Sequence, residues 1–175
     1  MELQERIAIF QQFGRTYRAF MTTFESRVGL PLPRWRILLA LYDHARLAKP
    51  DVEAASRDDT PHGGPSLPQK RLVERLSIDP GALTRQLKQL ESLGWIARST
   101  DARDNRLTNV VLTDTGRQAV EHGLPRRNAL LASALGGLSD DALHALEEAL
   151  KDIERCMTHG EWPVPAEHGD VPAIE

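Results

Sequence analysis

Between residues 3 and 28 the side chains Leu3, Ile7, Phe10, Phe13, Tyr17, Phe20, Met21, Phe24 and Val28 recur every three or four positions. That spacing predicts one long amphipathic helix whose apolar stripe needs a covering surface. Gly29, Pro31 and Pro33 mark its end. All four phenylalanines of the chain fall in this helix, and a second chain is expected to cover part of the stripe.

The run RWRILLALYDHA, residues 34–45, reads as a second helix packing through Trp35, Leu38, Leu39, Leu41 and Tyr42. From about residue 44 to 66 the periodicity fails. Residues 57–65, rich in Asp, Gly and Pro, read as loop, and DVEAASR as a short helical turn. So long a connection is a functional segment or a tolerated surface insertion. PQKRLVERLSI follows as a short helix starting near Pro68, with Leu72, Val73 and Leu76 inward.

The helix at residues 80–93 is punctuated at both ends: Asp79 can cap, Pro80 takes the first helical position and Gly94 closes the run. At about 100° per residue, Leu83, Leu87 and Leu90 cluster within roughly 60° and form the buried side. Gly81, Thr84, Arg85 and Lys88 fall opposite. Residues 95–99 and 107–112 can pair as an antiparallel hairpin whose tip reads TDARDNR. Thr113 is placed to cap a further helix that Pro125 interrupts or kinks and that Gly136 and Gly137 break. The last helix starts at Ser139 or Asp140 and carries Leu143, Leu146, Leu150 and Ile153 as its stripe, before a tail with Pro163, Pro165 and Pro172.

The fold expected is mainly α with a small β-hairpin wing: a winged helix-turn-helix plus a helical dimerisation region. Residues 1–30 and 114–158 would form the dimerisation region, and 32–112 the winged lobe with its insert at about 44–66. Residues 159–175 would be an acidic, Pro-containing tail.

Charge alters what the total suggests. The 175-residue chain has a formal net charge of -3, yet residues 66–106 hold eight Lys or Arg against five acids, while residues 138–175 hold ten acids against two cations. A basic middle held apart from an acidic end leaves an electrostatic footprint for nucleic acid. In a winged helix the 80–93 helix enters the major groove by its first turns. There Arg85 can donate to guanine, Thr84 can meet a base edge, methyl or phosphate, and Lys88 suits phosphate. The hairpin tip would bring Arg103 and Arg106 to the neighbouring backbone or minor groove. Asp101 and Asp104 are the wrong charge for phosphate and instead hold the tip in shape.

The stretch LPQKRLVERLSIDPGALTRQLKQLESLGWIARSTDARDNRLTNVVLTDTG resembles the MarR family of winged helix-turn-helix transcriptional regulators. The T-R of the reading helix, the L-x-x-L-E-x-x-G-x-[IV] run, the D-x-R-x-x-R wing and the L-T-x-x-G that follows fall on Thr84, Arg85, Leu87, Leu90, Glu91, Gly94, Ile96, Asp101, Arg103, Arg106, Leu112, Thr113 and Gly116. The resemblance implies a homodimer in which the first helix and the last two of each chain intertwine, with Ile7, Phe10, Phe13, Leu146, Leu150 and Ile153 as contact residues. It implies two reading heads on a pseudopalindromic double-stranded DNA operator, repression as the more frequent outcome, and a small aromatic or phenolic effector bound between the dimer region and the DNA-binding lobe. Arg15, Tyr17, Arg18 and Trp35 are the cleft candidates, with core packing the commoner fate of such aromatics and a solvated helix face the simpler account of the two arginines. Two departures stand out: the 44–66 insert exceeds the family's usual connection, and the reactive cysteine of peroxide-sensing members is missing from the first helix, the one cysteine being Cys156.

Other classes are weaker. His62, Ser66 and Asp58 or Asp59 are near in sequence without a G-x-S-x-G turn, so no enzyme is expected. Six scattered histidines show no tight ligand spacing, and no metal or cofactor is expected. A metal-responsive regulator and a winged helix used for protein contact remain the alternatives. No apolar run approaches the roughly 18 residues of a membrane span, no charged leader opens the chain, and one cysteine suits a reducing compartment. A cytoplasmic location without membrane contact is expected.

Overall fold

The computed structural model describes residues 1–47, 64–101, 104–105 and 107–160. Most of the insert, the wing-tip residues Arg103 and Arg106, and the tail from residue 161 lie outside the described residues. Six helices and three short strands are described: α1 (Leu3–Val28), α2 (Leu32–Leu47), β1 (Leu67–Pro68), α3 (Gln69–Leu76), α4 (Pro80–Ser92), β2 (Ile96–Thr100), β3 (Thr108–Leu112), α5 (Asp114–Leu135) and α6 (Asp140–His159). The chain forms two compact units, Met1–Leu131 and a second beginning at Ala132, the division falling within α5.

In the first unit α2 lies at the centre, touching α1, α3, α4 and β3. Its burial includes Ile37 and Ala40 as well as Trp35, Leu38 and Leu41. A helix covered on several sides has no single stripe, so periodicity alone omits those two. Two boundaries also differ from expectation. The helix begins at Leu32, taking Pro33 into its first turn, and runs on past His44 to Leu47. α5 continues through Pro125 without a break. One lost N–H is tolerated there because Glu121 and Pro125 are exposed, where water can take the orphaned carbonyl.

The hairpin of β2 and β3 is joined by β1, in the order β1-β3-β2, all antiparallel. Ile96 pairs with Leu112 and Thr100 with Thr108, while Leu67 pairs with Val110. As the middle strand β3 buries Val110, Val111 and Leu112 in succession. Gly94 at φ 69 turns the chain from α4 into β2, a conformation that suits glycine.

α1 is covered only towards its C-terminal end. Phe24 and Val28 are buried, whereas Phe10 is 57% and Phe13 45% exposed. Phe10, Phe13 and Tyr17 form a ladder of neighbouring rings, with centroids 6.3 and 6.4 Å apart. In the second unit α6 starts at Ser139, whose side chain accepts from Ala142 N at 3.3 Å. No residue of α6 is buried, and Leu146, Leu150 and Ile153 are exposed along it.

Candidate nucleic-acid interface

The reading helix is fixed from three directions. At its start the Asp79 carboxylate accepts from Ala82 N at 2.7 Å, and Pro80 occupies the first turn. On its inner face Leu83, Leu87 and Leu90 are wholly buried. On its flank Arg34 of α2 donates through Nε to Gln86 Oε1 at 3.1 Å. These ties leave one face outward. Gly81, Arg85 and Lys88 are exposed and Thr84 is half-buried.

At Gly81 the surface is nearly bare. A Cβ built there would meet only Asp79 Oδ1 at 3.2 Å and Arg85 Nη1 at 3.8 Å. The Arg85 guanidinium therefore lies back along the first turn of α4, without closing an ion pair to Asp79.

Of the six described cations of the basic stretch, three are engaged in ion pairs. Arg71 pairs with Glu74, Arg75 with Asp43, and Arg98 with Glu91. Among the described residues Lys70, Arg85 and Lys88 have no carboxylate within ion-pair distance. Lys70 and Gln69, at the start of α3, share a depression of about 320 Å³ with Pro80 of α4 and with Leu107 and Thr108 of the hairpin. The first turns of both helices and the base of the wing thus border one surface.

The wing loop is closed by its own backbone and one carboxylate. Asp101 N donates to Leu107 O and Leu107 N to Asp104 O, both at 2.9 Å. Asp101 accepts from Asp104 N at 3.2 Å and from Asn109 Nδ2 at 2.9 Å. Asp101 and Asp104 make further interactions as well. Sequence patterning does not single out Gln69, Lys70 or Asn109: a bond or shared rim between elements leaves no mark in spacing.

The pattern of the MarR family matches residues 62–108, which run from before α3 to the return of the wing. Over that stretch the chain resembles the MarR family. Over 146 residues it is 27% identical to the uncharacterized HTH-type transcriptional regulator YdgJ of Bacillus subtilis, covering 83% of this chain and 77% of that one. Its fold resembles that of a mutant MarR from E. coli crystallised with operator DNA, with TM-score 0.68, 22% identity, and 87% of this chain on 99% of the other. It also resembles Bordetella bronchiseptica BpsR, whose structure concerns regulation of DNA binding by 6-hydroxynicotinic acid (TM-score 0.64, 21% identity, 84% of this chain on 98% of the other). At such identities these structures speak to the MarR fold.

Of the cleft candidates, Arg15, Tyr17 and Arg18 lie on one stretch of α1, and Trp35 lies on α2. Trp35 is a core residue, 3% exposed, edge-on to Phe24 at 6.1 Å and pressed against Gly123. Arg15 is exposed and held by Gln12 at 2.9 Å, Tyr17 stacks on Phe13, and Arg18 is exposed. Among the described residues no group of three or more His, Cys, Asp or Glu is arranged to hold a metal ion. His44 bonds the Ser66 carbonyl at 3.1 Å. No described helix is long and apolar enough to cross a membrane.

Proposed function

We propose that this protein is a MarR-type homodimeric, ligand-responsive repressor that binds a pseudopalindromic double-stranded DNA operator. The observation that carries the reading is the outward face of α4, where Arg85 and Lys88 stand without carboxylate partners while Arg71, Arg75 and Arg98 are paired. Cations held out of ion pairs retain their charge for phosphate and base edges, and release counterions on binding. Arg85 reads a base edge in the major groove, Lys88 and Lys70 meet phosphates, and Arg103 and Arg106 bring the wing to the adjacent backbone or minor groove. Asp101 holds the loop from which the wing arginines reach.

The exposed stripes of α1 and α6 call for a second copy of the chain. A two-fold dimer presents two reading helices and so selects half-sites about one helical turn apart. An aromatic acid is the effector class, in keeping with the compound that regulates BpsR. Arg15 and Arg18 supply charge to its carboxylate, and Tyr17 a ring. Bound there, the effector changes the spacing of the reading heads and releases the DNA.

Enrichment of duplexes from a random pool, followed by anisotropy titrations at several salt concentrations, tests the reading. One enriched inverted repeat is expected, with affinity falling steeply as salt rises. Equal binding of scrambled and enriched duplexes, or no binding, would assign the fold to protein contact instead.

A further inference from the structure

Within the reading face, Thr84 has an unusual commitment. Its hydroxyl donates its one hydrogen to Pro80 O at 2.8 Å and accepts from Gln69 Nε2 at 3.1 Å. A hydroxyl has one proton and two lone pairs. The proton is spent on the helix's own backbone and one lone pair on a side chain from α3. No donor remains for a phosphate oxygen, or for the N7, O6 and O4 acceptors of the major groove. What Thr84 retains for the outside is chiefly its γ-methyl group, one turn along from the bare surface at Gly81 and next to Arg85.

We propose that Thr84 is a specificity-determining residue that recognises the 5-methyl group of a thymine through its own γ-methyl, with Gln69 as the positioning residue that holds the side chain. The proposal rests on the DNA-binding reading above and deepens it. Threonine in a helix divides between two rotamers because its hydroxyl can seek a backbone carbonyl. The bond from Gln69 favours the rotamer in which the hydroxyl stays on Pro80 O, and so fixes the methyl in one direction. Thymine is the base that offers a methyl in the major groove, and an apolar side-chain group beside it is a known form of readout. Gly81 leaves room for the groove edge to approach. The role of Arg85, a guanidinium for guanine, is unaffected.

The test uses the full-length protein and the enriched operator. Each thymine of one half-site is replaced in turn by deoxyuridine, which removes the methyl and nothing else. At one position the wild-type protein should bind the uridine duplex about three- to fivefold more weakly, the worth of one buried methyl group. Thr84→Ser should show the same loss on the thymine duplex and no further loss on the uridine one. Thr84→Val, which keeps a methyl on that branch, should bind within about twofold of wild type and still discriminate. Gln69→Ala should shrink the thymine-to-uridine ratio in the wild-type background and leave it unchanged beside Thr84→Val. That ratio is taken within one protein, so partial unfolding of a variant does not move it. Equal binding of thymine and uridine at every position, or a loss with Thr84→Val that Thr84→Ser escapes, would overturn the proposal. If Arg85→Ala still costs affinity in that case, the DNA-binding reading survives. If no duplex binds at all, both fall together.

Discussion

Thr113 sits where the end of α4, the return strand of the wing and the start of α5 meet. Its hydroxyl donates to Gly94 O at 2.7 Å and accepts from Gly116 N at 3.0 Å, and the residue is buried. Thr113→Val keeps the shape and removes both bonds, leaving polar backbone groups without partners. A loss of about 1–3 kcal/mol is expected, read from chemical denaturation, while Thr113→Ser should stay near wild type. On the reading face the two exposed cations should separate by kind. Arg85→Ala is expected to cost about 1–3 kcal/mol and to relax preference at one base pair. Lys88→Ala should weaken all duplexes alike and lower the salt slope by about 1. Titrations against enriched and scrambled duplexes distinguish them. The outward position of Arg85 and Lys88 could be read from the angular positions of Leu83, Leu87 and Leu90. The engagement of the Thr84 hydroxyl could not, because its second partner arrives from another helix.

Elements with clear punctuation were the legible ones. Asp79, Pro80 and Gly94 bracket α4, and the structure runs it from Pro80 to Ser92. β1 left no trace in the pattern: two residues show no alternation, one of them is proline, and the strand exists because β3 offers it an edge. α2 hid part of its burial for the opposite reason, being covered on several sides. Its packing on α5 gives a sharp prediction. A Cβ at Gly123 would overlap the Trp35 ring, so Gly123→Ala should cost about 1–3 kcal/mol through forced repacking. That appears as a lowered Tm, despite alanine's better helix propensity. In α6 the bond from Lys151 holds the Glu147 carboxyl below the ordinary carboxylate range. Its small support of the helix is therefore present above the usual glutamate pKa and lost as pH falls through the lowered one. A carbon-detected NMR titration should place its midpoint below that of an isolated glutamate, and Lys151→Met should restore it.

For the molecule as a whole, the uncovered rings of α1 make assembly the deciding property. Phe10, Phe13 and Tyr17 present neighbouring aromatic rings to solvent, and burying them against a second copy removes apolar surface from water. Sedimentation velocity is expected to find a dimer at micromolar concentration, and Phe13→Glu a monomer. The same change should reduce affinity for an operator with two half-sites on the order of 100-fold, since linked binding is lost, while a single half-site is affected far less. Fold class and the outward position of Arg85 and Lys88 were within reach of the sequence. The place of Trp35 in the packing surface of α2 was legible too, but its close contact with Gly123 of α5 was not, because a contact between distant helices leaves no mark in spacing.

The bond from His44 to the Ser66 carbonyl, together with the pairing of Leu67 to Val110, fastens both ends of the chain on either side of residue 48–63 to the lobe. With those flanks pinned, extra residues added between positions 48 and 63 should leave the reading head's architecture alone, since doubling the length of a flexible connection costs only about 0.6 kcal/mol. A fluorescent reporter spliced in at this point should leave operator affinity intact and turn the regulator into an optical probe of its own DNA occupancy.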